Sequence, residues 1–121
     1  MNTLRNKVQL IGNLGMTPEV RTLDGGKKVA RVSLATREIY KNYKGDRFTE
    51  TYWHNLVAWG KTAEIAEKIM SKGSEVAIEG KLVTRAYTDK HGVKRFVTEV
   101  VVNEFVLLDS KRMNKKTEQA A

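Results

Sequence analysis

An all-β barrel with one short helix is the architecture this sequence predicts, on three observations. Runs in which apolar and polar residues alternate, the pattern of a half-buried strand, recur from Val8 to Leu108. Glycines fall within or at the ends of these runs, at Gly12, Gly15, Gly60 and Gly80, where a strand bends or bulges. Helical spacing appears in a single stretch, between Thr62 and Met70. A chain of 121 residues supports one core of this kind. Residues 1–108 are therefore expected to form one domain, and 109–121, with no apolar period, a disordered basic tail.

The first strand runs from Lys7 to Leu14, with Val8 and Leu10 set against Gln9 and Ile11. Pro18 restarts the chain, and Glu19-Val20-Arg21-Thr22 reads as a short continuation closed by Asp24-Gly25-Gly26, a hairpin-turn signal. The second strand, Lys28 to Arg37, puts Ala30, Val32, Leu34 and Thr36 on a core face and Arg31, Ser33 and Arg37 on a wet, basic one. Glu38 to Phe48 is polar apart from Ile39, Tyr40, Tyr43 and Phe48, and reads as a long hairpin loop turning at Lys44-Gly45-Asp46.

The third strand, Glu50 to Lys61, contains both tryptophans of the chain. Side chains alternate in a strand, so Trp53, Asn55, Val57 and Trp59 share one face while Tyr52, His54, Leu56 and Ala58 share the other. Gly60 ends this strand. Thr62 is the expected cap of a helix whose Ile65, Ala66, Ile69 and Met70 form its apolar stripe, with Gly73 as the stop. The fourth strand alternates Val76, Ile78, Gly80 and Leu82 with Glu75, Glu79 and Lys81, and extends to place Arg85 and Tyr87 on one face. Asp89-Lys90-His91-Gly92 turns the chain into a valine-rich fifth strand, Val93 to Leu108. A five-stranded Greek-key barrel with a short helix between strands 3 and 4 is the OB-fold; an open α+β sheet has the same order of elements.

A net charge of +8 and a pI near 9.8 call for an anionic partner, nucleic acid first. No apolar run approaches the roughly 18 residues of a membrane span, and no basic amphipathic helix or lipidation signal is present, so no membrane partner is expected. Met1 to Lys7 has no apolar core of a signal peptide, and the absence of cysteine fits a reducing cytoplasm and removes thiolate metal sites. Asp24, Asp46 and Asp89 each lie beside a turn glycine, a structural role. His54 and His91 stand apart from each other and from paired acids, His91 as a turn residue and His54 as a hydrogen-bonded core or interface residue. Lys61 and Thr62 follow Gly60 without the glycine spacing of a phosphate loop. No catalytic residue, metal or cofactor is expected.

Binding is where the features converge. Tyr40, Trp53, Trp59 and Tyr87 are candidate platforms for bases, and Lys7, Arg21, Arg31, Arg37, Lys61 and Arg85 candidates to track a phosphate backbone. Single-stranded bases expose the ring faces that a duplex hides, and no recognition helix carries the basic charge a duplex reader needs.

Asn6-Lys7-Val8-Gln9-Leu10-Ile11-Gly12-Asn13-Leu14-Gly15, Pro18-Glu19-Val20-Arg21, Leu34-Ala35-Thr36, Trp53-His54, Trp59-Gly60-Lys61, Lys72-Gly73-Ser74, Ile78-Glu79-Gly80 and Thr98-Glu99-Val100-Val101-Val102 together resemble the bacterial single-stranded DNA-binding protein family. The resemblance extends from about Asn6 to Phe105. It implies an OB-fold homotetramer, in the cytoplasm and associated with the nucleoid, that binds and protects single-stranded DNA in replication, recombination and repair. It places base stacking on Tyr40, Trp53, Trp59 and Tyr87, phosphate contacts on Lys7, Arg21, Lys61, Lys72 and Arg85, and a subunit contact on His54. Members of the family typically end in an acidic tip that recruits replication and repair enzymes. This sequence ends in a segment with four basic and two acidic residues from Asp109 onward, which argues against recruitment by that route. The alternatives are a cold-shock-like OB protein that binds RNA, and an OB module whose indoles meet another protein.

Overall fold

The computed structural model describes residues 4–108. The expected tail, 109–121, lies outside the described residues. The elements are β1 (Val8–Leu14), β2 (Glu19–Thr22), β3 (Lys28–Lys41), β4 (Arg47–Trp59), α1 (Gly60–Ile69), β5 (Glu75–Thr88) and β6 (Lys94–Leu107). The sheet order is β1-β5-β6-β4-β3-β2, and a further pairing of Asn13 and Leu14 in β1 with Ala35 and Leu34 in β3 closes a five-stranded barrel. Among the described strands only β4 and β6 run parallel, with Leu56 opposite Val100 and Val57 opposite Val101. This is the OB-fold expected from the order of elements. The segment Glu19–Thr22 is a strand in its own right, hydrogen-bonded to β3, so the helix falls between β4 and β5.

Alternation builds the core. Ala30, Val32 and Leu34 of β3, Leu56 and Ala58 of β4, Val76 and Ile78 of β5, and Val100 and Val102 of β6 all point inward and are buried. Closure depends on two glycines that permit backbone contact. A Cβ at Gly12 would run into the carbonyl oxygen of Ala35, and one at Gly80 into that of Val101. Gly80 also sits at a break in the β5–β6 register, beside Glu79, where β5 bends.

The helix differs from expectation in two ways. Its N-cap is Trp59, extended at φ −119° and without a side-chain cap, while Thr62 lies within the first turn. The buried residues are Ala63, Ala66 and, just past the helix, Met70, whereas Ile65 and Ile69 are exposed. The helix lies close over the end of the barrel, and methyl side chains allow that approach where isoleucine would hold it off. Gly60 adopts φ 58°, so the chain leaves β4 and enters the helix at a single residue.

The stretch Glu38 to Phe48 is also different. Its flanks are strand, with one register carried unbroken from Val29↔Trp59 to Lys41↔Arg47, and only Asn42–Asp46 forms the connection. The Asn42 side-chain oxygen accepts from the backbone N–H groups of Lys44 and Asp46, both at 2.9 Å, and Tyr40 stacks on Phe48 across the strands at 5.6 Å between ring centroids. At the other hairpin Asp89 has the expected turn role, accepting from the N–H groups of His91 and Val93.

Gly12→Ala is expected to lower stability by about 1–3 kcal/mol, because β1 must retreat from β3 to admit the methyl group. Urea unfolding checks this, and an unchanged midpoint would show that Gly12 does not limit closure.

Candidate nucleic-acid interface

The general OB surface for oligomeric ligands is the face of the second and third barrel strands, flanked by the loop between the last two. Here that face belongs to β3 and β4, and both tryptophans project from it. Trp53 is 63% exposed and Trp59 39%, while their neighbours of opposite parity, Leu56 and Ala58, are core. Each indole stands opposite a smaller residue of β3, Trp53 opposite Ala35 and Trp59 opposite Val29. The Trp53 ring packs against Gly15, and the Lys27 ammonium lies 5.4 Å from the Trp59 ring centroid.

Between the indoles along β4 comes Val57, and opposite it on β3 is Arg31. A cavity of about 200 Å³ opens here, lined by Met16, Glu19, Arg31, Ser33, Asn55 and Glu99 among others. Arg31 and Arg21 both line a second one of about 150 Å³ beside it. Glu99 of β6 is buried to 6% exposure and accepts from the Arg31 guanidinium on one oxygen and from Arg85 Nε, at 2.8 Å, on the other. Burial pushes the Glu99 carboxyl up, but the hydrogen bonds from Arg85 and Arg31 outweigh it and hold the group below its ordinary value. Arg85 in turn lies 5.9 Å from the Tyr87 ring centroid on the same face of β5. Arg31, opposite Val57 between the indoles, is thus joined through Glu99 to Arg85, and Arg85 to Tyr87, on the outer side of the barrel.

Tyr40 is elsewhere. The unbroken β3–β4 register gives it the parity of Leu34 and His54, so it lies on the opposite face of the projecting hairpin from the tryptophans. The two faces of this arm differ in charge. Arg37, Lys41 and Arg47 lie on the tryptophan side, whereas Glu38 and Glu50, directly opposite each other, lie on the Tyr40 side with Phe48 and Tyr52. Glu50 accepts from the hydroxyls of Tyr40 at 2.9 Å and Tyr52 at 2.5 Å. The hydrogen bond from Tyr52, then that from Tyr40, holds the Glu50 carboxyl below its usual value. The same carboxylate pushes Tyr40 up and Tyr52 up to about 12.

The other expected residues are dispersed. Arg21 lies on β2 beside Arg31, and Lys61 is exposed in the first turn of α1, just beyond Trp59. Lys7, before β1, lies 3.2 Å from Glu79. Lys72 is exposed between α1 and β5, its N–H donating to Thr17 Oγ1 at 3.2 Å. His54 is half-buried and its Nε2 is hydrogen-bonded to Thr36 Oγ1 at 2.9 Å. Lys27, Phe48, Glu50 and Glu99 have no site role in the sequence reading. The one available signal was a lone glutamate at an outward position in the valine run of β6.

An OB barrel with indoles and guanidinium groups on one strand face defines the class of oligomer-binding barrels. The model of the single-strand binding protein family matches residues 5–108, and the chain belongs to that family, whose members are DNA-binding proteins and not enzymes. A curated relative, single-stranded DNA-binding protein 1 of Xylella fastidiosa, is 40% identical over 95% of this chain and 85% of its own. Among solved structures, the Plasmodium falciparum SSB complex with ssDNA superposes with a TM-score of 0.79 at 31% identity, over 86% of this chain and 95% of that one. A deletion mutant of the single-stranded DNA binding protein from Thermus aquaticus gives 0.75 at 27% identity, over 86% of this chain and 50% of that one.

In an alkaline absorbance titration one tyrosine, Tyr52, is expected to ionise last, near 12, because the Glu50 carboxylate stabilises its protonated hydroxyl. Glu50→Gln should bring both Tyr40 and Tyr52 down toward the ordinary value. The interaction is present at neutral pH and is lost as pH rises through the raised value. An unshifted profile in the variant would show that Glu50 does not hold the pair.

Proposed function

We propose that this protein binds single-stranded DNA with little sequence preference and shields it during replication, recombination and repair. The observation that carries this reading is the exposed pair Trp53 and Trp59 on one outer face with the Arg31 and Arg85 guanidinium groups between and beside them. Trp53, Trp59 and Tyr87 stack on bases along that face, and Tyr40 stacks on the far side of the hairpin, so a strand that reaches all four passes round the arm. Lys7, Arg21, Lys61, Lys72 and Arg85 neutralise phosphates along the way. The glutamates beside Tyr40 make it the weakest of the four platforms.

Four subunits assemble in this reading, with His54 at a contact between them, and the assembly works in the cytoplasm on the nucleoid. The relatives' own descriptions, as single-stranded DNA-binding proteins, favour DNA over RNA as the polymer. Light scattering should give the mass of a tetramer, and His54→Ala should shift it toward smaller species; an unchanged mass would remove His54 from the contact.

Titration with a long thymidine homopolymer is expected to quench the tryptophan fluorescence deeply, and duplex DNA of equal length to quench it little. Replacing both Trp53 and Trp59 by alanine should weaken binding by about 2–6 kcal/mol, at roughly 1–3 kcal/mol per stacked base, read by the anisotropy of a labelled thymidine oligomer because the variant has no tryptophan. Tyr40→Ala should cost less than Trp53→Ala. Wild-type affinity in the folded double variant would overturn the stacking model, and equal binding of a matched RNA would point to the cold-shock alternative.

A further inference from the structure

Among the described residues Glu99 is the buried carboxylate, and it is placed where a protein that binds an anionic polymer would least want negative charge. Its burial stabilises nothing unless paired, and breaking such a pair is costly. The pairing spans three strands. Arg31 comes from β3, Arg85 from β5 and Glu99 from β6, so the carboxylate ties together two guanidinium groups from different strands on the outer surface.

The tie uses little of either arginine. Glu99 occupies Nη1 of Arg31 and Nε of Arg85, and each guanidinium has five N–H donors, so donors remain on both. Both side chains are 45% exposed, and Arg31 lines the open cavity with Glu99 and Asn55. Arg31 also has the right place along the face. It lies opposite Val57, midway in sequence between Asn55 and Trp59, where a phosphate linking bases stacked on Trp53 and Trp59 would run. The trio has a net charge of +1 instead of +2, so the arrangement sacrifices attraction for direction. A fixed guanidinium fork loses less freedom on meeting a phosphate than a loose one.

We propose that Glu99 is a positioning residue that holds Arg31 and Arg85 as a pair of pre-aimed guanidinium forks, and that Arg31 is a further phosphate contact on the surface between the two indoles. The inference rests on the single-strand reading given above. If Glu99 were only a clamp between strands, Arg31 would contribute to stability and not to the salt dependence of binding.

Tryptophan quenching by a thymidine homopolymer, repeated across salt concentrations, separates these cases. Arg31→Ala is expected to bind about tenfold more weakly at low salt and to make the log–log salt slope shallower by about 0.7, the share of one neutralised phosphate. Arg31→Lys keeps the charge without the fork, and should regain the slope without regaining the affinity. Glu99→Asp keeps the net charge but is one methylene too short to reach both arginines, and should also weaken binding by about tenfold. Unfolding midpoints show which variants are folded, and the two Arg31 variants decide the matter if Glu99→Asp is not. Wild-type slope and affinity in Arg31→Ala would overturn the phosphate contact. Wild-type affinity in Arg31→Lys or in folded Glu99→Asp would overturn the positioning role. Absence of quenching in the wild-type protein would overturn the single-strand reading itself.

Discussion

The register of the β3–β4 ladder is the constraint on which the other features depend. Side chains alternate with a period of two, so a slip by one residue would turn both indoles into the barrel and expel Leu56 and Ala58. The burial of Val32, Leu34, Leu56 and Ala58 makes that slip prohibitive, since each large apolar side chain is worth about 1.5–3 kcal/mol inside. The core therefore does more than stabilise the barrel. It dictates which side of two long strands faces solvent, and with it the position of every aromatic on them.

Closure is the second requirement, and it is met by the removal of side chains. Gly12 lets β1 pass from β5 to β3, and Gly80 lets β5 lie against β6 at a break in register. The barrel brings β5 and β6 round beside β4, which is what delivers Arg85, Tyr87 and Glu99 to the surface already occupied by Trp59 and Arg31. No two of β3, β5 and β6 that supply this cluster are neighbours in sequence except the last pair, so the cluster is a product of topology.

Much of this was legible in the sequence. The alternation of β1, β3, β5 and β6, the shared parity of Trp53 and Trp59 and that of Arg85 and Tyr87 all follow from local pattern. What was hidden is instructive. The outer halves of β3 and β4 look like loop because neither face of the arm is buried, so no apolar period marks them as strand. Without that register, Tyr40 had no assignable face. Half of the helix stripe was legible, Ala66 and Met70 being buried as expected, but hydrophobicity favours Ile65 and Ile69, which are exposed, whereas close approach favours Ala63. The pairing of Glu99 with Arg31 joins positions 68 residues apart, beyond the reach of any local signal.

The two-sided hairpin has a consequence for how a polymer would be loaded. The arm ends at the tight turn Asn42–Asp46, so within this chain it is a hook and not a ring. A strand that took the proposed path round it would be laid on from the side at an internal point and lifted off past the tip, with no free end threaded through. Gaps in long or circular molecules are as accessible to such a shape as loose ends.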